Sequence, residues 1–164
     1  MPALRYVYIV ALVIWVGGTV VAGAAVAPAV FGVLQGWDPV TGRVLAGQVF
    51  GAVLDRLHLI GYIAGPLMIV ALSLQRLIGP RPVAFGIRAG LTAVMLGLTL
   101  YSGLVISPRI NSLQRTVNGP MNQLPAADPR RVEFDSLHGL STTLITLAGA
   151  GGLILLLWEA REHA

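Results

Sequence analysis

Two short segments carry the residues of this chain best suited to chemistry, Asp55-Arg56-Leu57-His58 and Asp135-Ser136-Leu137-His138. In each, a carboxylate and an imidazole stand three residues apart, which on a helix places them on one face. An oxygen and a nitrogen donor from each segment would together suit a divalent ion such as Zn, Mn, Fe or Ni. The related Glu-x-x-His spacing supplies ligands in di-iron bundles, but Asp is shorter and only four ligands are visible, which argues against a dinuclear centre. The two histidines alone suit a different chemistry, axial ligation of a b-type haem, with Asp55 and Asp135 holding the distal ring nitrogens. A purely structural role stands beside both: Asp near a helix start complements the dipole, and His anchors a membrane interface.

What must position these groups is a duplication. A shift of 80 residues lays Thr19, Gly23, Pro28, Asp55, Leu57 and His58 on Thr99, Gly103, Pro108, Asp135, Leu137 and His138. In both copies 30 residues separate the proline from the histidine. The chain therefore reads as a single domain, 1–164, made of two copies at about 4–78 and 84–160. If each copy crosses a membrane twice, the copies share one orientation and are related by a pseudo-two-fold axis along the membrane normal. Both Asp-x-Leu-His segments are then expected at equal depth near one membrane surface, meeting around the axis.

The composition supplies the membrane. With 55% apolar and 11% charged residues and a mean hydropathy of +0.79, the chain is too apolar for a soluble domain of its length. Four segments, Val7 to Leu34, Leu57 to Leu74, Ala89 to Ser107 and Leu137 to Trp158, approach or exceed the roughly 20 residues needed to span a bilayer. Lipid cannot satisfy backbone amides, so each should be helical, and the expected fold is an all-α, integral membrane four-helix bundle. The first helix is expected to start near Leu4 and to bend or end at Pro28. Asp38-Pro39 and Asp128-Pro129 read as caps followed by first helical residues, 109–127 as a loop, and 77–82 as a surface turn. Thr19, Gly23 and Ala27 form a small-residue stripe matched by Thr99, Gly103 and Ser107, and the two stripes are expected to make equivalent helix contacts.

Several function classes are excluded or disfavoured. All 11 basic residues are arginine and the net charge of +4 is scattered over segment ends, so no nucleic-acid surface is present. The absence of cysteine excludes disulfides, thiolate metal sites, covalent haem and iron–sulfur clusters. No nucleophile elbow, Walker loop, dinucleotide fingerprint or zinc-protease motif occurs, so nothing argues for an enzyme. Arg5 before an apolar run and Ala25-Val26-Ala27 resemble a cleavable leader, but the matching internal segment around Thr99 to Pro108 favours a retained helix. The link between copies is rich in arginine and free of acids, which points to both termini being cytoplasmic and the histidines outside; the expected location is a bacterial plasma membrane. Trp37 and Trp158 fit interfacial belts, and His163 falls in a polar, solvated tail.

Trp15-Val16-Gly17-Gly18, then Ala27-Pro28-Ala29-Val30-Phe31, and Phe134-Asp135-Ser136-Leu137-His138 opening the last helix together resemble the transmembrane-protein-205-like family of small four-helix membrane proteins. That resemblance implies the fold and is silent on activity, because the family is largely of unknown function. A more distant likeness is to copper-resistance D-like membrane domains and membrane protoporphyrinogen oxidases, whose members include haem binders. The oxidase-type first helix carries a histidine about two turns before the tryptophan, where this chain has Tyr8. The expected function is a paired Asp/His centre, with His58 and His138 as haem b ligands or with all four residues on a divalent metal, serving electron transfer or metal handling. The competing expectation is a non-catalytic accessory subunit, packing through glycine-rich faces against copies of itself or a larger membrane complex. A third is transport of a metal ion by an oligomer.

Overall fold

The computed structural model describes residues 2–79, 83–117 and 119–161. It contains four helices long and apolar enough to cross a membrane: α1, Pro2–Trp37; α2, Thr41–Ile78; α3, Phe85–Gln114; and α4, Pro129–Arg161. At 1.5 Å rise per residue they are roughly 45 to 57 Å long, well beyond the ~30 Å of hydrocarbon, so each extends past the bilayer. They form an antiparallel ring in which α1 packs on α2 and α4, and α3 packs on the same two. Pro80, Arg81 and Pro82 of the link, and His163 of the tail, lie outside the described residues.

Neither repeat-matched proline ends its helix; at Pro28, where a bend or an end was expected, the helix continues. In α1 a π-helical turn spans Ala22–Val26 and in α3 the matching turn spans Ser102–Ile106. The Ala27 amide donates to the Ala22 carbonyl, and the Ser107 amide to the Ser102 carbonyl, five residues back in each case. Widening the turn by one residue carries the carbonyl that would clash with the proline ring out of its way, and the helix continues. The 80-residue repeat thus extends to a backbone irregularity.

The ends of the helices follow their caps. Asp38 Oδ1 accepts from the amides of Val40 and Thr41 at 2.9 and 2.5 Å, and the helix starts at Thr41 because Pro39 and Val40 form a turn. Asp128 Oδ1 accepts from the Arg130 amide at 2.9 Å and α4 starts at Pro129 as its sequence suggests. The segment expected to be loop from Arg109 stays helical to Gln114, and a 3₁₀ turn, Met121–Gln123, interrupts the connection to α4.

The centre of the ring is filled by Tyr8, Leu12, Trp15 and Val16 of α1, Met68 and Leu72 of α2, Met95 of α3 and Leu155 of α4. At the end holding the termini this core is closed by charge. Glu159 of α4 accepts from Arg5 Nε and Nη2 of α1 at 3.1 and 2.9 Å through Oε2, and pairs through Oε1 with Arg88 of α3. The Arg88 guanidinium lies 4.8 Å from the centroid of the Tyr8 ring. Arg88 and Glu159 are both buried, so residues that look in sequence like membrane-face charges form an internal tie between three helices.

Candidate functional site

Near the middle of α2, away from the charged cluster at the termini, His58 is turned inward. It is only 5% exposed, with Nε2 3.2 Å from Ser102 Oγ on α3. Ser102 Oγ lies in turn 3.3 Å from Ser141 Oγ on α4, so imidazole and two hydroxyls form a buried chain across three helices. The other ring nitrogen, Nδ1, is buried without a hydrogen-bond partner. An orphaned buried polar atom is uncommon in folded proteins.

Nδ1 faces α3 at Gly103. A methyl group added there would stand 2.8 Å from His58 Cγ and 3.0 Å from Nδ1, and would collide with the Tyr62 hydroxyl. Tyr62, one turn along α2, stacks beside the His58 ring with centroids 6.3 Å apart. Only glycine admits this approach, and the π-turn positions it. That turn has a second effect: the Ser107 amide is given to Ser102 and Pro108 has no amide, which leaves the Gly103 carbonyl without its usual donors within the helix.

On the outer side of Gly103 is an open crevice of about 360 Å³ between α2 and the end of α3. Its wall includes Asp55, Ser107, Asn111, Ser112 and Arg115. On the inner side is a cavity of about 20 Å³, bounded by His58, Trp15, and the repeat-matched pair Thr19 and Thr99. This is room for about one water. Thr19 and Thr99 donate to the carbonyls of Trp15 and Met95, both at 2.9 Å, leaving their oxygens free to accept. The Trp15 indole packs against Gly61, where an added Cβ would stand 3.0 Å from its Nε1.

The second copy has a different environment at the same positions. His138 is exposed and stacks on Phe134 of its own helix at 5.9 Å. Asp135 is also exposed, with Arg131 Nε 3.7 Å away. The matched small-residue stripes do not make equivalent contacts, because Gly103 is packed whereas nothing lies within 4 Å of a Cβ placed on Gly23. The cause is in three residues. Where His58 meets Ser102, Tyr62 and Ser141, the shift by 80 gives His138 the counterparts Ala22, Thr142 and Gly61. Neither Ala22 nor Gly61 offers a side-chain hydroxyl, and Thr142 turns its own back to the His138 carbonyl at 2.9 Å.

The structure therefore brings His58 together with Ser102 and Ser141, with Asp55 in the adjoining crevice, and leaves His138 and Asp135 on the surface. Among the described residues no three His, Asp or Glu side chains gather into one ligand set. Sequence reasoning passed over Ser102 and Ser141, and the signal was available in the positions where the copies differ.

Four long apolar helices in an antiparallel ring, built from an internally repeated pair, define an integral membrane four-helix bundle. A family model described as a domain of unknown function, DUF4149, matches residues 10–118, and the chain belongs to that family. The match takes in Asp55, His58 and the α3 wall of the crevice and stops before α4. No curated protein and no solved structure matches the chain.

Proposed function

We propose that this protein binds a divalent metal ion through the first Asp-x-Leu-His segment, His58 and Asp55, and serves in metal handling at the membrane. One observation supports this: the buried, unpartnered Nδ1 of His58, which Gly103 separates from a polar crevice that contains the Asp55 carboxylate. Imidazole and carboxylate together suit Mn or Zn by ligand type. His138 and Asp135 then belong to the surface of the second copy, outside the ligand set. Haem b on His58 and His138 is the alternative cofactor. It would require the bundle to open, since the enclosed space beside His58 is about 20 Å³. The likeness to transmembrane-protein-205-like and copper-resistance D-like proteins is compatible with either ligand. We place the termini on the cytoplasmic side of a bacterial plasma membrane, on the arginine-dense link, which puts the crevice outside.

A second reading, an accessory subunit that packs on itself or on a larger complex, is favoured by one feature of α3. Gly86, Gly90 and Gly97 face outward with nothing within 4 Å of an added Cβ, the kind of surface that lets membrane helices approach closely. Protein purified in mild detergent separates the two. One Mn²⁺ or Zn²⁺ per chain, weakened at least tenfold by His58→Ala and unchanged by His138→Ala, supports metal handling. A Soret band with sharp reduced α and β bands, lost on either histidine substitution, would replace it with haem. Colourless protein that takes up neither ion would leave the accessory role.

A further inference from the structure

We infer that the open crevice between α2 and the end of α3 binds a zwitterionic group, a primary ammonium joined to a phosphate, and that its depth favours the phosphoethanolamine headgroup of a membrane lipid as the source. The inference stands apart from the metal-handling proposal, with which it shares only Asp55. Asp55 from α2 and Arg115 from the end of α3 line the same crevice with opposite charges, and both residues are exposed. Among the described residues neither side chain makes a hydrogen bond or an ion pair, with the other or with a third group. Opposite charges that share a crevice without pairing leave room between them for a molecule that carries both signs.

The rest of the lining sorts by chemistry along the same direction. Beside Asp55 are the Gly103 carbonyl, which has no amide donor from Ser107 or Pro108, and the Ser107 hydroxyl. A carboxylate, a carbonyl and a hydroxyl match the three N–H donors of a primary ammonium. Toward Arg115 the lining adds the Asn111 side-chain amide, and a guanidinium recognises phosphate through paired hydrogen bonds. At about 360 Å³ the crevice has the size of a small-molecule site, roughly 300–1,000 Å³. The apolar stretch of α2 opens at Leu57, just past Asp55, and that of α3 closes at Ser107, so the crevice sits at the hydrocarbon edge, where headgroups lie. Leu59 of α2 and Tyr101 of α3 are exposed on its membrane side, where acyl chains run. The shift by 80 replaces Ser107, Asn111 and Arg115 by Ala27, Phe31 and Gln35. The matched wall of the first copy thus lacks the charge, and one headgroup per chain is expected.

The test is native mass spectrometry of the full-length protein in mild detergent, with phosphatidylethanolamine, phosphatidylcholine or phosphatidylglycerol added in turn. One phosphatidylethanolamine should bind about fivefold or more tightly than either of the others, because choline has no N–H to donate and glycerol has no positive charge. Asp55→Asn should abolish the preference over phosphatidylcholine. Arg115→Gln should weaken phosphatidylethanolamine and phosphatidylcholine alike, by about threefold or more. Both substitutions change exposed side chains, so both variants should melt like wild type, and Asp135→Asn at the matched carboxylate should alter neither affinity. The preference should persist in the presence of a chelator, which separates it from the metal-handling proposal. Displacement of the lipid by an equal concentration of soluble phosphoethanolamine would overturn the lipid source and keep the recognition chemistry. Equal binding of the three lipids, or a preference that both variants retain, overturns the site.

Discussion

The two copies spend the same stretch of chain differently. Between proline and histidine the first copy extends α1 to Trp37, turns at 38–40 and enters α2 at Thr41. The second stops α3 at Gln114, crosses a loop with one 3₁₀ turn, and resumes at Pro129. The contrast is sharper at the histidines, where a hydroxyl on the facing helix and a tyrosine one turn on bury His58, and an alanine and a threonine leave His138 on the surface. The termini end shows the same break of symmetry: Arg88 matches Tyr8, and Glu159 matches Gly79, so one ion cluster forms where strict repetition would give two or none. Duplication here set the backbone, and divergence at a few contacts assigned each copy its role.

That division can be broken most severely at Glu159. Replacing it by Ala leaves Arg88 buried without its carboxylate, and loss of one partner of a buried pair costs about 3–5 kcal/mol. Thermal unfolding in detergent should show it, and a loss under about 1 kcal/mol would mean that the cluster does not tie the helices. Ser102→Ala is the next test. It removes the partner of His58 Nε2 while Nδ1 already has none, with an expected cost of about 1–3 kcal/mol. The matched change Ala22→Ser should stay within about 1 kcal/mol, because a helical serine can bond back to its own carbonyls. Equal effects from the two would show that the copies are not divided as described.

The smallest effect expected is from the cap of α4. The side-chain hydrogen bond from Arg130, and then its amide, hold the Asp128 carboxyl at about 2, below its ordinary 3.8. A carboxyl depressed in the folded state contributes stability that is fully present above 3.8 and is lost as pH falls from there toward about 2. Asp128→Asn should therefore lower stability slightly at neutral pH, to the level the native protein reaches below that window, and so flatten the acid limb of the stability profile. An unaltered acid limb would show that the cap does not contribute there. Asp38, depressed chiefly by the Thr41 amide, predicts the same direction for the cap of α2.

Much of the fold was legible in the residues. Hydropathy and the impossibility of unsatisfied amides in lipid dictate four helices, and Asp128-Pro129 marks the start of the last one. Pro28 misled in one respect, since a proline breaks a helix only if the turn before it cannot widen, and the π-turn relieves the clash. The site was half legible. Asp55 and His58 stand out by type and spacing, but identical spacing made His138 look equivalent.

The amino-acid sequence by itself determined the class, the duplication and the candidate groups, because these depend on local composition and on periodicities within single helices. Only the tertiary structure decided which histidine is buried, that Gly103 lies against its ring, and that Arg88 and Glu159 meet. Each of those facts is a contact between helices 40 or more residues apart, fixed by the volume and hydrogen-bonding capacity of the residue on the opposing face.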